Sequence, residues 1–550
     1  MRICGVLGAV AALSLLATPA LAQKSGGVMK MYVHDNPPSA SIHEEATTST
    51  VVPFMGLYNN LVLFDQQIPQ NSLETIRPDL AESWSWSADG KNLTFKLVGN
   101  AKWHDGKPFT AADVKCTWDM LTGKSETQKL RKNPRASWYW NLDKVTTNGD
   151  REVTFHLGQP QPSFLVLLAS GYSPVYSCHV PTAQMRTKPV GTGPFKLAEF
   201  RQKEGIKLTR NKDYFKKGKP YLDGIEFSLV PARGTAILGF VSGRYDITSP
   251  YGVTIPLLKD VKAQAADAVC KVAAMNNNTN LILNRDAPPF DNPEVRRAML
   301  LSLDRKAFIE IINQGQADVG GVMEPAPNGV WGLPKEMYDQ ISGYGPDVEK
   351  NRAEGRKIME KLGYGPDNKL KLKVSTRNHL LYRDPAVILI DQLKGVYFEG
   401  ELDLVDTALW YAKVARKDYA IGLNTTGNGV DDPDQNYFEN YACKSERNYT
   451  GYCSPEIEKL FVAQSAESDV EKRKKTVWEI DRKLLEDVTL NAAMGNFLNT
   501  KGNKKENASG RQPDENYARE VMQLFSIGLY ELNLDGTEKR DAQGNKLETY

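Results

Sequence analysis

Leu93, Phe95 and Leu97 alternate with polar neighbours just after Asp89-Gly90, and Val153, Phe155 and Leu157 repeat the pattern after Asn148-Gly149. A period of two behind a turn dipeptide predicts hairpin strands with one buried face, so the N-terminal half reads as β-rich. Asp105-Gly106 marks another turn, and Thr110 with Asp113 has the spacing of a capping box opening a helix. Val114, Trp118 and Leu121 then fall on one helical face. From about residue 290 helices and strands alternate. Asn292 caps a helix with Pro293 in its first position and Val295, Met299 and Leu303 as its buried stripe. A second helix runs from near Asp347 to Leu362, stopped by Gly363, and strand-like Leu370 to Val374 follows. Phe164 to Ala169, the strongest apolar run beyond the N-terminus, has the length of a strand. The pattern predicts mixed α/β architecture without internal repeats.

The first residues change the picture. Arg2 precedes an apolar stretch from Val6 to Leu16, and Ala20-Leu21-Ala22 matches the small-x-small site of a signal peptidase. The expectation is export to the periplasm with cleavage after Ala22, leaving Gln23 as the mature start. Cys4 precedes the apolar stretch, which excludes it as a lipidated residue. No later segment approaches the 18 continuous apolar residues of a membrane-spanning helix.

The 550 residues are 41% hydrophobic and 25% charged, as in ordinary globular proteins. That length suggests three or four units, or two large lobes. With 69 Lys+Arg against 67 Asp+Glu, no general attraction to nucleic acid or anionic membrane is expected. After cleavage the cysteines are Cys116, Cys178, Cys270, Cys443 and Cys453, with no CxxC and no zinc spacing. In an oxidising compartment Cys443 and Cys453 are the disulfide candidates, and closing so short a loop would stabilise by about 2–3 kcal/mol. The odd number leaves at least one thiol free.

Catalytic motifs are missing. There is no HExxH, GxSxG or GxxxxGK[ST], and the six histidines lie at no metal-ligand spacing. Gly191-Thr192-Gly193-Pro194 has the glycines of a phosphate loop, but Pro194 removes an amide donor such a loop needs. A tight turn is the expectation. No metal, cofactor or catalytic constellation is expected.

Three segments carry a family resemblance. They are Pro78-Asp79-Leu80-Ala81-Glu82-Ser83-Trp84 through Trp103-His104-Asp105-Gly106-Lys107-Pro108-Phe109-Thr110 to Val114; Pro189-Val190-Gly191-Thr192-Gly193-Pro194-Phe195-Lys196 with Asn211 to Phe215; and Phe290-Asp291-Asn292-Pro293-Glu294-Val295-Arg296-Arg297 to Met299. In this order, from about residue 25 to 488, the chain resembles the extracellular solute-binding proteins of family 5, the dipeptide, oligopeptide and nickel binding proteins of ABC importers. The resemblance implies an α/β fold of two lobes around a cleft, the type II periplasmic-binding-protein fold, with an extra β-rich subdomain in the first lobe. The expected divisions are a signal peptide at 1–22, lobe I at 23–60 and 180–280, the inserted subdomain at 61–179, and lobe II at 281–490. It also implies a monomer that closes on a peptide or similar small organic solute and docks on an inner-membrane ABC permease. A secreted hydrolase and an exported chaperone-like scaffold are the competing functions.

In peptide-binding relatives an acid late in the second lobe faces the ligand's amine, and the matching stretch is Gly427 to Asp434. Asp432, then Asp431, are the candidates; a turn or helix cap is the competing reading of Asp-Asp-Pro-Asp. Arg377 and Asn378, where a strand opens into a loop, are candidates to hold a carboxylate, against plain surface exposure. Trp331, after the turn-like Pro327-Asn328-Gly329, is a candidate flat wall, against core packing. Trp410 and Tyr411 read as helix packing.

The last sixty residues depart from this plan. Lys501 to Asn507 is polar, and Gly510 to Phe525 resembles part of a different, functionally uncharacterised bacterial family. The segment reads as a capped helix with Val521 and Leu524 on its apolar face. The expectation is a chimeric or misassembled reading frame joined near residue 490, leaving the binding fold without its usual last strand; a genuine fusion is the alternative.

Overall fold

The computed structural model describes residues 26–486 except 66–67, 69–70, 250–251, 266–267, 271–276, 316, 327–328 and 428–429, together with 508–511. The signal peptide, the join near residue 490, the tail helix with Val521 and Leu524, Pro327, Asn328, Asn428, Gly429 and the Cys270 side chain lie outside the described residues.

Three four-stranded sheets organise what is described. The first begins with Val28–Val33, which pairs in parallel with Gly224–Leu229. Gly205–Arg210 and Phe195–Arg201 complete it, antiparallel to their neighbours. Strands nearly two hundred residues apart in sequence therefore share one core, and the chain between them forms a separate body. That body is the second sheet, an antiparallel array in the order Ala81–Trp86, Asn92–Leu97, Glu152–Leu157 and Leu142–Asn148. Both hairpin turns end on left-handed glycines, Gly90 at φ +67° and Gly149 at φ +62°. The helix Ala111–Leu121 covers one face, opened by the Thr110–Asp113 capping box. Leu93, Phe95, Val114, Trp118, Val153 and Phe155 are fully buried between helix and sheet, Trp118 edge-on to Phe155 at 5.0 Å.

The third sheet is mixed, in the order Asn277–Leu283, Ile421–Gly427, Leu370–Arg377 and Phe398–Val405. Leu370–Arg377 runs parallel to both its neighbours. Its first residues alternate between exposed lysines and buried Leu372 and Val374, whereas Ser375, Thr376 and Arg377 are all buried. The loss of alternation marks where the strand leaves its solvent-facing surface and enters the space between the lobes. The helix Pro293–Leu301 is capped by Asn292 with Pro293 first, and Val348–Lys361 ends before Gly363 at φ +88°. Leu303 is buried as expected but lies beyond the helix, which stops at Leu301.

Phe164–Ala169 is a helix rather than a strand, with all six residues buried. A short continuous apolar run has no period by which to tell the two apart. Gly191 to Pro194 is a close-packed turn. The Gly193 amide donates to the Leu57 carbonyl at 2.9 Å, and a Cβ at Gly191 would collide with that same carbonyl. Cys443 is bonded to Cys453, and Cys116 to Cys178, the latter fastening helix Ala111–Leu121 to the segment that returns to the first sheet. From the tail, Ala508–Arg511 pairs antiparallel with Ala268–Cys270.

Two histidines are built into the core as neutral rings. His43 shares a 2.8 Å hydrogen bond with the Pro174 carbonyl, and His104 one of 3.0 Å with the Gly193 carbonyl. Burial pushes His43 down to about 3 and His104 down to about 4, from 6.5. The unfolded chain therefore takes up protons below about pH 6.5 that the folded chain refuses. Stability is fully present above that pH, and each ring removes on the order of 1 kcal/mol per pH unit as the pH falls. Asp481, pushed up to about 7 by burial, opposes this, while His34 and His379, also held down by burial, act in the same direction as His43 and His104. Thermal unfolding between pH 4.5 and 6.5 is expected to show a melting temperature that rises with pH.

Candidate functional site

The first and third sheets meet across a cavity of about 90 Å³. Its walls come from every part of the fold: His34, Asp35 and Ser49 from the first lobe, Arg135 and Tyr172 from the inserted body, and Arg377, His379, Tyr382, Tyr411, Glu439 and Arg447 from the second lobe. In that measure a water takes roughly 10–15 Å³, so the space holds a handful of waters. The lobes are drawn tightly together.

Asp35 and Arg377 hold them so. Asp35 follows strand Val28–Val33, Arg377 ends strand Leu370–Arg377, and their charged groups form an ion pair across the cleft. The other guanidinium nitrogens of Arg377 are also engaged: Nε donates to Thr407 at 3.0 Å, and Nη1 to the Tyr382 hydroxyl at 2.6 Å and to Tyr411 at 3.4 Å. Ser49 donates to Asp35 at 2.7 Å. Burial alone would push the Asp35 carboxyl up, but Arg377 and Ser49 outweigh it and hold the group below its ordinary range. A second interlobe pair, Arg233 with Asp384 at 3.7 Å, leaves Asp384 about half exposed and is worth little beside the buried one.

His34 and His379 approach from opposite lobes, ring centroids 6.0 Å apart. His379 accepts from the Leu381 amide at the start of helix Leu380–Leu393. Burial, and then the neighbouring Arg377, push its pKa down to about 3, so the ring facing His34 is neutral.

At the far end, the Glu439 carboxylate pairs with Arg447 and accepts from the Trp138 indole at 2.6 Å. Arg135 lies over the Tyr172 ring at 3.7 Å. Its Nη1 donates to the carbonyls of Ile42 at 3.2 Å and Glu45 at 3.0 Å, while Nε and Nη2 have no hydrogen-bond partner.

Of the five residues singled out from sequence as ligand contacts, only Arg377 lines this cavity, and it faces Asp35. Asp432 is buried outside the cavity lining, where it caps helix Pro433–Asn440 through the Asp434 amide at 2.9 Å and takes a two-pronged ion pair from Arg473 at 2.7 and 2.8 Å. Beside it, Asp434 accepts from Gln161 and Ser163 of the inserted body and from Ser465, at 2.9, 2.5 and 2.6 Å. Asp434 thereby binds the inserted body to the second lobe. Asp431 accepts from the Val330 amide at 3.0 Å, and its carbonyl accepts from the Trp331 indole at 2.9 Å. Trp331 is a core residue with Arg473 over its ring at 4.5 Å. Asn378 is exposed, its amide donating to Val405 at 2.8 Å. Trp410 is fully buried as helix packing, whereas Tyr411 reaches the cavity. Asp35, Arg135, Glu439 and Arg447 were not singled out beforehand: Asp35 and Arg135 depend on partners far away in sequence, and Glu439 and Arg447, eight residues apart, form no recognisable motif.

The model of the bacterial extracellular solute-binding proteins, family 5 (middle), matches residues 75–448. A family of unknown function, DUF1800, matches residues 477–544. The oligopeptide-binding protein AppA of Bacillus subtilis is 26% identical over 472 residues, 81% of this chain and 82% of AppA. The probable di/tripeptide-binding protein 5 of Pseudomonas aeruginosa is 25% identical over 447 residues, 76% of this chain and 80% of its own. The solved structure of AppA with a nonapeptide superposes with a TM-score of 0.74 at 23% identity, covering 86% of this chain and 93% of that one. That superposition is a likeness of fold.

Proposed function

Because the chain belongs to the bacterial extracellular solute-binding proteins of family 5, we propose that it captures a peptide or similarly sized organic solute between its two lobes and delivers it to an ABC permease of the inner membrane. The family and the relatives above are substrate-binding transport proteins rather than enzymes. The observation that carries the reading is the cavity itself, walled from both lobes and closed by the Asp35–Arg377 pair. A pair that forms only when the lobes meet favours the closed state, and a ligand that contacts both lobes shifts the balance further.

The reading includes a signal peptide cleaved after Ala22, a monomeric mature protein, lobe I at 23–60 and 180–280, an inserted subdomain at 61–179 and lobe II at 281–490. In it, Asp432 and Asp431 serve as structural carboxylates and Arg377 as the interlobe latch. The tail from 491 is a joined segment of other origin. Support for that comes from the two family models, which match separate stretches of the chain.

The test is a thermal-shift screen of the mature chain against di- to pentapeptides, with intrinsic fluorescence of its nine tryptophans as the second readout. Free ligand at a hundred times the dissociation constant is expected to add about 2.7 kcal/mol of stability. Saturable shifts without turnover support the reading; product formation abolished by one side-chain change would overturn it.

A further inference from the structure

We infer that His34 and His379, facing each other across the cleft, make capture pH-dependent: a proton on either ring opposes closure, so the solute is held at neutral pH and released in acid. This rests on the transport reading above and adds its regulation. His34 belongs to the first lobe and His379 to the second, and closure sets their rings 6.0 Å apart. Each ring is fixed as one neutral tautomer by its own lobe. The Val230 carbonyl, 2.8 Å from His34 Nδ1, can only accept, so that nitrogen carries the proton and Nε2 is bare. The Leu381 amide donates to His379 Nδ1 at 3.2 Å, so there Nδ1 is bare and the proton sits on Nε2.

A second proton has no place on either ring while the lobes are shut. On His34 it would go to Nε2, which is buried without an acceptor. On His379 it would go to Nδ1 and face the Leu381 N–H. That breaks the cap of helix Leu380–Leu393 and sets a cation at the positive end of its dipole. The surroundings are already cationic. Arg233 from the first lobe and Arg377 from the second both oppose charge on these rings. Asp384 draws on Arg233 from the half-exposed rim, with Arg383 beside it. Asp35 favours the protonated rings, but Arg377 and Ser49 already hold its carboxylate. Tyr32, 5.1 Å from His34, and Tyr382, 5.7 Å from His379, are phenols that burial pushes up, so they stay neutral.

Burial accordingly holds both imidazoles down, His379 to about 3. With the lobes apart, water reaches both rings and their pKa values return towards about 6.5. The open state then takes up protons that the closed state refuses, and closure expels them. Capture is strongest above about pH 6.5 and weakens as the pH falls below it, by about tenfold per ring between pH 7.5 and 5.5. His43 and His104 bond to carbonyls of the first lobe and the inserted body, outside the cavity lining, so closure leaves them unchanged.

The experiment is isothermal titration of the mature chain with dialanine, trialanine and tetra-alanine at pH 7.5, 6.0 and 5.5. Repeating each titration in buffers of different ionisation enthalpy counts the protons exchanged on binding. At pH 6.0 the ammonium and carboxylate of the free peptides are both charged. The expected release is about 1.5 protons per peptide at pH 6.0 and about 0.2 at pH 7.5, with affinity about a hundredfold lower at pH 5.5 than at pH 7.5. His34→Asn and His379→Asn place an amide where Nδ1 stood, a donor to Val230 in one case and an acceptor for Leu381 in the other, and neither takes up a proton. Each is expected to halve the proton count and leave about a tenfold pH effect, and the double variant to abolish both. The wild-type count decides the matter by itself where a variant fails to fold. Peptide binding with no proton release at pH 6.0 and equal affinity at pH 5.5 and 7.5 overturns the inference and leaves the transport reading standing. So does an undiminished count in the double variant. Binding of none of the three peptides at pH 7.5 overturns both.

Discussion

Asp432→Ala is expected to lower the unfolding free energy of the ligand-free protein by about 3–5 kcal/mol, the cost of stranding one member of a buried ion pair. The stranded group is Arg473, 6% exposed, which would keep the Gln464 amide oxygen at 3.0 Å and the more distant Asp434 carboxylate at 3.5 Å. The helix cap at the Asp434 amide would be lost as well, adding about 1 kcal/mol. Urea unfolding without any solute measures this directly. A carboxylate whose role is to face a ligand's amine would show the opposite pattern, with stability unchanged and affinity lost. Replacing Asp432 and Arg473 together by leucine and methionine should recover much of the loss, because the charge left unpaired by either single change is then gone.

Arg377→Met is expected to weaken binding of a solute found in the screen by at least about thirtyfold, since truncating one partner of a buried charge pair costs about 2–5 kcal/mol. The loss falls on the closed state. With the lobes apart, water solvates Asp35; with them together, its carboxylate would have Ser49 and no guanidinium. Apparent affinity falls with the fraction of molecules able to close. Asp35→Asn is the companion change. It keeps the shape and the Arg377 contacts to Thr407, Tyr382 and Tyr411, and is expected to weaken binding in the same direction with little effect on ligand-free unfolding. Unchanged affinity in both variants would remove the latch from the account.

Much of the fold could be read in the chain because its signals are local. Asp89-Gly90, Asn148-Gly149, the Thr110–Asp113 box and Asn292-Pro293 each set their own neighbourhood, and the structure has two hairpins and two capped helices there. Phe164–Ala169 was misread because six consecutive buried residues carry no period. The site was far less legible. Asp35 and Arg377 are 342 residues apart, and Trp138 reaches Glu439 across 301. Nothing near either residue announces its partner, and only closure of the fold brings them together. Asp432 showed the reverse problem: the Asp-Asp-Pro-Asp pattern fits both a helix cap and a ligand carboxylate, and the buried Arg473 that occupies it lies 41 positions on.

Small-angle scattering of the mature chain, alone and saturated with a peptide that binds, tests the two-lobed account most directly. The expected result is a ligand-free radius of gyration larger than that calculated from the closed structure, contracting towards the calculated value once the peptide is bound. Identical scattering curves with and without bound peptide would contradict it.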